Sequence, residues 1–329
     1  MAKVQTQTKP HAKSKPKPAS PQQIPMRAIR KDLPQPGLNY HRDEIKPAPK
    51  EGEVLIKISA VGICGTDVHI YDWDKWSSGR VKPPTVVGHE FVGVIEEVGA
   101  DVHHVKPGQR VSAEGHITCG VCQFCRTGDG HICRDVQIIG IDRNGCFADF
   151  MTMPAGNLWP VPDTIPDKFA ALYDPLGNAM HTVMAQPVAG RSVLIMGAGA
   201  IGLMAVAIAR SAGAAQIFAV DPNPKKRELG KIVGADACLN PASDDVLKIV
   251  RDATGGLGTD VVLEMSGHPA GIQQALHAVR SPKLPSAPER GLDDLCATAL
   301  SPHRAWDQLE ARAVLIEDGL NLAPILVDV

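Results

Sequence analysis

Three side chains with metal-binding chemistry fall close together in the first third of the sequence. Cys64 lies in the run Ile63-Cys-Gly-Thr-Asp-Val-His-Ile-Tyr-Asp-Trp73, and His89 and Glu90 follow in Gly88-His-Glu90. A thiolate, an imidazole and a carboxylate form a donor set that zinc accepts, and a catalytic zinc keeps few protein ligands and an open position. Thr66 and His69 stand just after the cysteine. A hydroxyl and an imidazole beside a metal can carry a proton from a bound alcohol to water. Residue types alone also fit a blander arrangement, a buried cysteine and a core histidine.

A second cluster is tighter. Cys119, Cys122, Cys125 and Cys133 follow the pattern C-x2-C-x2-C-x7-C. Four thiolates so spaced make a closed tetrahedral zinc site, which would pin a loop rather than react. An iron–sulfur cluster uses the same ligands, and spacing does not separate the two. Cys146, Cys238 and Cys296 have no partners at ligand spacing and read as ordinary residues. Eight cysteines with four in one short cluster point to metal ligation in a reducing compartment, so a cytoplasmic location is expected. No secretory signal pattern is seen at the start.

The third motif is Gly197-Ala-Gly-Ala-Ile-Gly202, after the apolar strand pattern of 192–196 and before an apolar helix over 203–212. This is G-x-G-x-x-G in its strand–turn–helix setting, a site for a dinucleotide. Gly197 makes the tight turn, Gly199 lets the backbone approach a pyrophosphate, and Gly202 lets helix and strand pack closely; Ile201 completes the loop. A second strand pattern at 216–220 ends at Asp221, placed as a ribose diol contact requires. A carboxylate there favours NAD over NADP, because it repels a 2′-phosphate.

The elements that must position these groups follow from the rest of the chain. A chain of 329 residues, 44% hydrophobic, can bury a large core in two domains. A net charge of -2 supplies no basic field for nucleic acid, 4% aromatics disfavour stacking platforms, and no unbroken apolar run is long enough to span a bilayer. Residues 1–25 hold five lysines and no acid, and read as a disordered tail. Residues 26–150 show short strand patterns, alternating at 53–58 and apolar at 91–98, with a Pro107-Gly108 turn before 109–112, as in a compact β-barrel-like unit. Further strands are expected at 237–239 and 259–264, with a helix over 270–279.

The wording of these motifs resembles the zinc-dependent medium-chain dehydrogenase family, and within it the branch that oxidises L-threonine. The likeness runs through ICGTDVHIYDW, VVGHEFVG, Glu114-Gly-His-Ile-Thr-Cys-Gly120, Asn144-Gly-Cys-Phe-Ala148, Asp174-Pro-Leu-Gly-Asn-Ala-Met-His-Thr182 and Glu264-Met-Ser-Gly267, over residues 26–280. It implies an α/β architecture: a GroES-like β-rich catalytic domain over 26–180, with a structural zinc lobe at about 114–135, and a Rossmann domain, a doubly wound parallel sheet, over 181–280. It implies catalytic zinc on Cys64, His89 and Glu90, structural zinc on the four cysteines, and a relay through Thr66 and His69. Asp174 matches a family acid that binds the metal transiently or takes part in proton transfer; a helix cap before 179 is the plainer reading. His116 matches a position near the active site, and Lys226 a basic position near the adenosine ribose. Both Lys226 and its neighbour Arg227 also suit a solvated helix face, and Arg227 leaves NADP open. The implied activity is oxidation of L-threonine or a similar secondary alcohol with NAD⁺, in a homotetramer that binds neither nucleic acid nor membrane. Another zinc-dependent polyol, diol or alcohol dehydrogenase is the alternative.

The likeness breaks at 281–305, SPKLPSAPERGLDDLCATALSPHRA, where three prolines precede Glu289 and no strand pattern follows. Family-like periodicity returns near Trp306 with an amphipathic stretch to 318. A deletion or reading-frame slip would explain the break, and a divergent loop would too. An incomplete Rossmann sheet would spoil the nicotinamide site, so a catalytically impaired relative with residual nucleotide binding is the rival of another class.

Overall fold

The computed structural model describes residues 24–280 and the backbone of residues 327–328. Expectations about the tail up to residue 23 and about 281–326 lie outside the described residues.

The N-terminal half holds β1 (Pro25–Lys31), β2 (Asn39–Ile45), β3 (Glu53–Gly62), α1 (Gly65–Asp72), α2 (Lys75–Arg80), β4 (Thr85–Val86), β5 (Glu90–Val98), β6 (Arg110–Ala113), β7 (His116–Ile117), α3 (Gln123–Thr127), β8 (Gln137–Ile138), β9 (Phe150–Pro154), β10 (Leu158–Pro160) and α4 (Asp167–Ala170). Pro25, placed in the tail by sequence, is already in β1 and pairs with Ile45. The main sheet runs β10-β6-β5-β3, with β9 on the far edge of β3. β3 is central, and this explains why its expected alternation is only half kept. Val54, Leu55 and Ile56 are all buried; Val54 and Ile56 face the main core, while Ala60, further along, packs against Ala170 of α4 and its C-cap Ala171. Strands buried on both faces read as continuous apolar runs.

α5 (Tyr173–Met184) leads into the second half: β11 (Ser192–Met196), α6 (Ala200–Ser211), β12 (Gln216–Val220), α7 (Pro224–Ile232), β13 (Ala237–Leu239), α8 (Val246–Ala253), β14 (Val261–Glu264) and α9 (Pro269–Ala278). The sheet is parallel in the order β13-β12-β11-β14. Val193 and Ile195 of β11 pack with α6, while Leu194 and Met196 pack on the opposite face with α8 and α9. Helices thus cover both faces, as the doubly wound reading requires. The strand order reverses at β11, which puts a crevice at its carboxyl end, where such sheets bind ligands.

Three element limits differ from the sequence reading. α5 starts at Tyr173 rather than at 179, so it crosses the boundary drawn at 180 and buries Ala179 and Val183 in the Rossmann core. α6 starts at Ala200 because Gly199 is its N-cap. β14 starts at Val261, since Thr259 forms only an isolated bridge with Val279. At the end of the chain, β15 (Val327–Asp328) pairs antiparallel with Val61 and Ala60 of β3 and so returns to the catalytic domain.

Asp260 ties β14 to β11. Its Oδ2 accepts from the Ser192 amide at 2.9 Å and hydroxyl at 2.8 Å, and its Oδ1 accepts from the Arg280 guanidinium at 2.7 Å. The Ser192 amide, then Arg280 and the Ser192 hydroxyl, hold this carboxyl down at about 2, below its ordinary 3.8. A folded-state pKa below the unfolded one gives stability that is present above the ordinary carboxylate range and lost as pH falls towards the folded value. Asp260→Asn should therefore lower the urea midpoint at pH 7, and the gap from wild type should narrow as pH falls from about 4 to about 2. Parallel unfolding curves at pH 7 and pH 3 check this; an unchanged gap would assign the loss to geometry rather than charge.

Candidate metal centres and cofactor cleft

Cys64 is the N-cap of α1, and Asp67 closes a capping box with it. The Asp67 Oδ2 accepts from the Cys64 amide at 2.9 Å, while its Oδ1 lies 3.7 Å from His89 Nδ1. One buried carboxylate therefore sets the helix start and faces the imidazole, leaving the histidine's Nε2 for a metal. The far end of α1 is held by Lys31, a lysine fully buried in β1. Its Nζ donates to the carbonyls of Ile70 (2.6 Å), Gln35 (2.6 Å) and Gly37 (3.0 Å), and sits 4.7 Å from the Trp73 ring centre. A cation at a helix C-terminus satisfies carbonyls that have no partner within the helix.

His89 and Glu90 are presented by the turn into β5. Gly88 adopts φ +91°, and a Cβ there would come within 2.2 Å of the Phe147 ring. The Asn144–Ala148 segment clamps this turn: the amides of Gly145, Cys146 and Phe147 donate to the carbonyls of Val86, Gly88 and Val87 at 2.7–2.9 Å. The Cys146 thiol reaches the Glu90 carbonyl at 3.5 Å. Gly62 leaves room for the Glu90 carboxylate, since a Cβ there would lie 2.1 Å from its Oε2. Cys64, His89 and Glu90 thus converge, with one ligand atom from each within 4.8 Å of the others. His89 is 8% and Glu90 3% exposed. Burial works against a charged imidazole, yet Asp67, Cys64 and Asp174 outweigh it and push His89 well above its usual range. His89 thus lies among acidic and thiol groups, an environment that suits a dication. The donor chemistry and this environment both fit zinc.

Thr66 and His69 sit three residues apart on α1, hence on one face. The His69 Nδ1 lies 2.6 Å from Asp74 Oδ2, within hydrogen-bond distance. Asp174 lies in the first turn of α5, but Leu172 is the N-cap, so the cap reading of Asp174 does not hold. The Asp174 carboxylate accepts from Asn178 Nδ2 at 3.2 Å and stands outside the three-donor cluster, while its charge raises both His89 and His116. The His116 amide donates to Glu114 Oε1 at 2.9 Å, its Nδ1 lies 2.6 Å from the same oxygen, and Glu114 is the main cause of the upward shift of His116. A cleft of about 730 Å³ is lined by Glu114, His116, His131, Asp174, Asn178 and His181, among others.

The four cysteines also converge. Cys122 and Cys125 sulfurs lie 3.5 Å apart, Cys122 and Cys133 3.9 Å, and Cys119 and Cys125 4.0 Å. Four sulfurs arranged tetrahedrally around one zinc at 2.3 Å stand about 3.8 Å apart. A cluster of two or four irons would divide the four sulfurs among its irons and spread them further. The amides of Cys125 and Arg134 draw Cys122 down to about 6, which favours the thiolate a metal needs.

In the second half, Gly197 has φ +94° with the Met265 backbone 2.8 Å from where its Cβ would be, and a Cβ on Gly202 would lie 1.9 Å from the Gly197 carbonyl oxygen. At Gly199 there is open space. Gly197 thus makes the tight turn and Gly202 the close helix–strand packing expected of them. Gly197, Gly199, Asp221 and Lys226 line one cleft of about 450 Å³ at the carboxyl ends of the strands. Ile201 is on α6, partly buried against the Rossmann core. The Asp221 carboxylate is fixed by the amides of Ala198 (3.0 Å) and Asn223 (2.8 Å). The Arg227 guanidinium donates to the carbonyls of Asp221 and Pro222, both at 2.7 Å.

Comparison with known proteins agrees with this geometry. Residues 50–163 match the alcohol dehydrogenase GroES-like domain, and residues 200–282 match the zinc-binding dehydrogenase family. An L-threonine 3-dehydrogenase of Pyrococcus abyssi is 47% identical over 254 residues, 77% of this chain and 73% of that one. An L-threonine 3-dehydrogenase of Thermococcus kodakarensis is 41% identical over 315 residues, 92% of this chain and 90% of that one, so the likeness continues past residue 280. Among solved structures, a zinc-binding dehydrogenase of Sinorhizobium meliloti bound to NADP superposes with a TM-score of 0.75 at 27% identity, covering 93% of this chain and all of that one. With the two clefts and both donor clusters in place, the chain belongs to the zinc-dependent medium-chain dehydrogenase family. It is a nicotinamide-linked, zinc-dependent oxidoreductase. No helix among the described residues is long and apolar enough to cross a membrane.

Sequence reasoning passed over Asp67, Asp74, Glu114 and Lys31. Asp67 had a signal, the acid three residues after a helix start. Asp74 had one too, an N-cap aspartate before a short helix. Lys31 had none, because a buried lysine looks like any strand lysine until its carbonyl partners are placed.

The zinc-loaded chain should hold two Zn²⁺ per chain by elemental analysis. Cys64→Ala should retain one zinc and its fold; Cys122→Ala should retain one and melt at lower temperature. Two equivalents retained by either variant would assign the metal elsewhere.

Proposed function

We propose that the chain oxidises the C3 hydroxyl of L-threonine, giving 2-amino-3-oxobutanoate, NADH and a proton from threonine and NAD⁺. The make-up of the cleft lined by Asp174, whose charge acts on His89, carries this reading. It offers the carboxylates of Glu114 and Asp174 and the imidazoles of His116, His131 and His181. An amino acid has an ammonium and a carboxylate for such groups to meet, whereas a neutral polyol or diol has neither. The names of the 41–47% identical relatives support the same substrate.

Cys64, His89 and Glu90 would hold zinc, and the 197–202 turn would receive the pyrophosphate of the dinucleotide at the start of α6. Bound there, zinc lends Lewis acidity towards the substrate hydroxyl, and the nicotinamide is the hydride acceptor. Thr66 and His69 carry the hydroxyl's proton outward. Asp174, close enough to act on His89 and His116 by its charge, faces the substrate's ammonium or shares in proton transfer. NAD⁺ is favoured over NADP⁺ because Asp221 presents a carboxylate and the nearby guanidinium of Arg227 is occupied by two carbonyls.

NADH formation by the zinc-loaded full chain is the test, with L-threonine set against 2,3-butanediol, sorbitol and simple alcohols. Threonine should give the highest kcat/KM, with NADP⁺ a poorer acceptor. Thr66→Val should lower kcat by about 10²-fold with both zinc ions retained. Preference for a diol or polyol would replace the substrate. Absence of turnover from a folded, two-zinc protein would favour the impaired relative.

A further inference from the structure

The His69 imidazole is held from two sides. Asp74 Oδ2 lies 2.6 Å from its Nδ1, and the Trp76 ring meets it edge-on, with centroids 6.1 Å apart. Asp74 is itself fixed. It is the N-cap of α2, and its Oδ1 accepts from the Ser77 amide at 2.9 Å. One carboxylate oxygen therefore belongs to the helix and the other to the histidine.

From this geometry we infer that Asp74 is a positioning residue that fixes His69 in the Nδ1–H tautomer and presents Nε2 as the proton acceptor of the relay. This rests on the relay role given to His69 above. An ionised carboxylate only accepts, so the ring nitrogen facing it must carry hydrogen. In the neutral ring the other nitrogen then has the free lone pair. Burial opposes ionisation of Asp74, but the Ser77 amide and His69 outweigh it and keep the carboxyl below its usual range. The 2.6 Å separation is that of a charge-assisted hydrogen bond.

An asparagine at this position separates the two duties. Its carbonyl oxygen can still cap α2 through Ser77, which turns its NH₂ group towards the imidazole. Nδ1 must then accept, Nε2 carries the hydrogen, and the ring can no longer take a proton on that side. A purely structural Asp74 would be replaced by asparagine at little cost, since both residues are good N-caps.

The experiment uses the zinc-loaded full chain labelled with ¹⁵N-histidine. Wild type, Asp74→Asn and His69→Gln are compared, the last to assign the His69 signals. Wild type should show the Nδ1–H tautomer and Asp74→Asn the Nε2–H tautomer. Asp74→Asn should also keep both zinc ions and lose about 10²-fold in kcat, with KM for threonine within about twofold of wild type. Asp74→Glu, which keeps the carboxylate, should recover part of the lost kcat. An Nδ1–H ring in Asp74→Asn would overturn the inference, and so would a reversed tautomer with wild-type kcat. If wild type turns over threonine and His69→Gln does so equally well, the relay reading fails. If wild type has no turnover at all, the substrate reading fails, and the tautomer comparison alone decides whether Asp74 fixes the ring.

Discussion

A buried gathering of acidic and thiol groups sets the terms for the catalytic domain. Asp67, Cys64 and Asp174 act on a single imidazole, His89, and Glu90 converges with it, while Asp67, His89 and Glu90 are all buried. Such groups are costly to bury as anions unless a cation is drawn in, so the domain is built to be completed by a metal. The supporting structure follows from this need. Gly62 clears space for the Glu90 carboxylate and Gly88 for the Phe147 ring, the Asn144–Ala148 segment fixes the turn carrying two of the donors, and the capping box of α1 fixes the third.

The two donor clusters solve opposite problems. Around His89 three donors of different kinds leave room beside a wide cleft, which suits a metal that must accept a substrate oxygen. In the cysteine lobe four identical donors pack to 3.5–4.0 Å and leave no such room. Its task is mechanical: it folds a loop that has little apolar core of its own. His131 in that lobe and His181 of α5 meet with ring centroids 5.0 Å apart, so the lobe also forms one wall of the larger cleft.

Much of this was legible in the sequence because the residues that bind also punctuate the chain. The cysteine spacing, Gly197–Gly202 and the acid after β12 each state a local geometry that needs few neighbours to be read. The donor set Cys64, His89 and Glu90 was legible as chemistry, though its convergence depends on β3 and β5 pairing from Gly62 and Glu90 onward. What sequence left hidden acts across long separations. Lys31 reaches carbonyls some forty residues away, and Phe147 packs on Gly88 from beyond the cysteine lobe. The extent of α5 was misjudged because its first turn, with Pro175 and Gly177, looks like a loop, although proline is well tolerated in the first turn of a helix.

That helix makes the two halves of the protein one lever. Its twelve residues span roughly 18 Å. Asp174 rides at one end, in the wall of the larger cleft, while Ala179 and Val183 are packed into the nucleotide-binding core. Those anchors stand five and nine residues from Asp174, so a turn of the nucleotide domain by about 5° would carry the carboxylate by roughly 1 Å, enough to weaken a hydrogen bond. A shift of the nucleotide-binding core would thus reach Asp174 along one continuous helix, with no loop between its packed residues and that carboxylate.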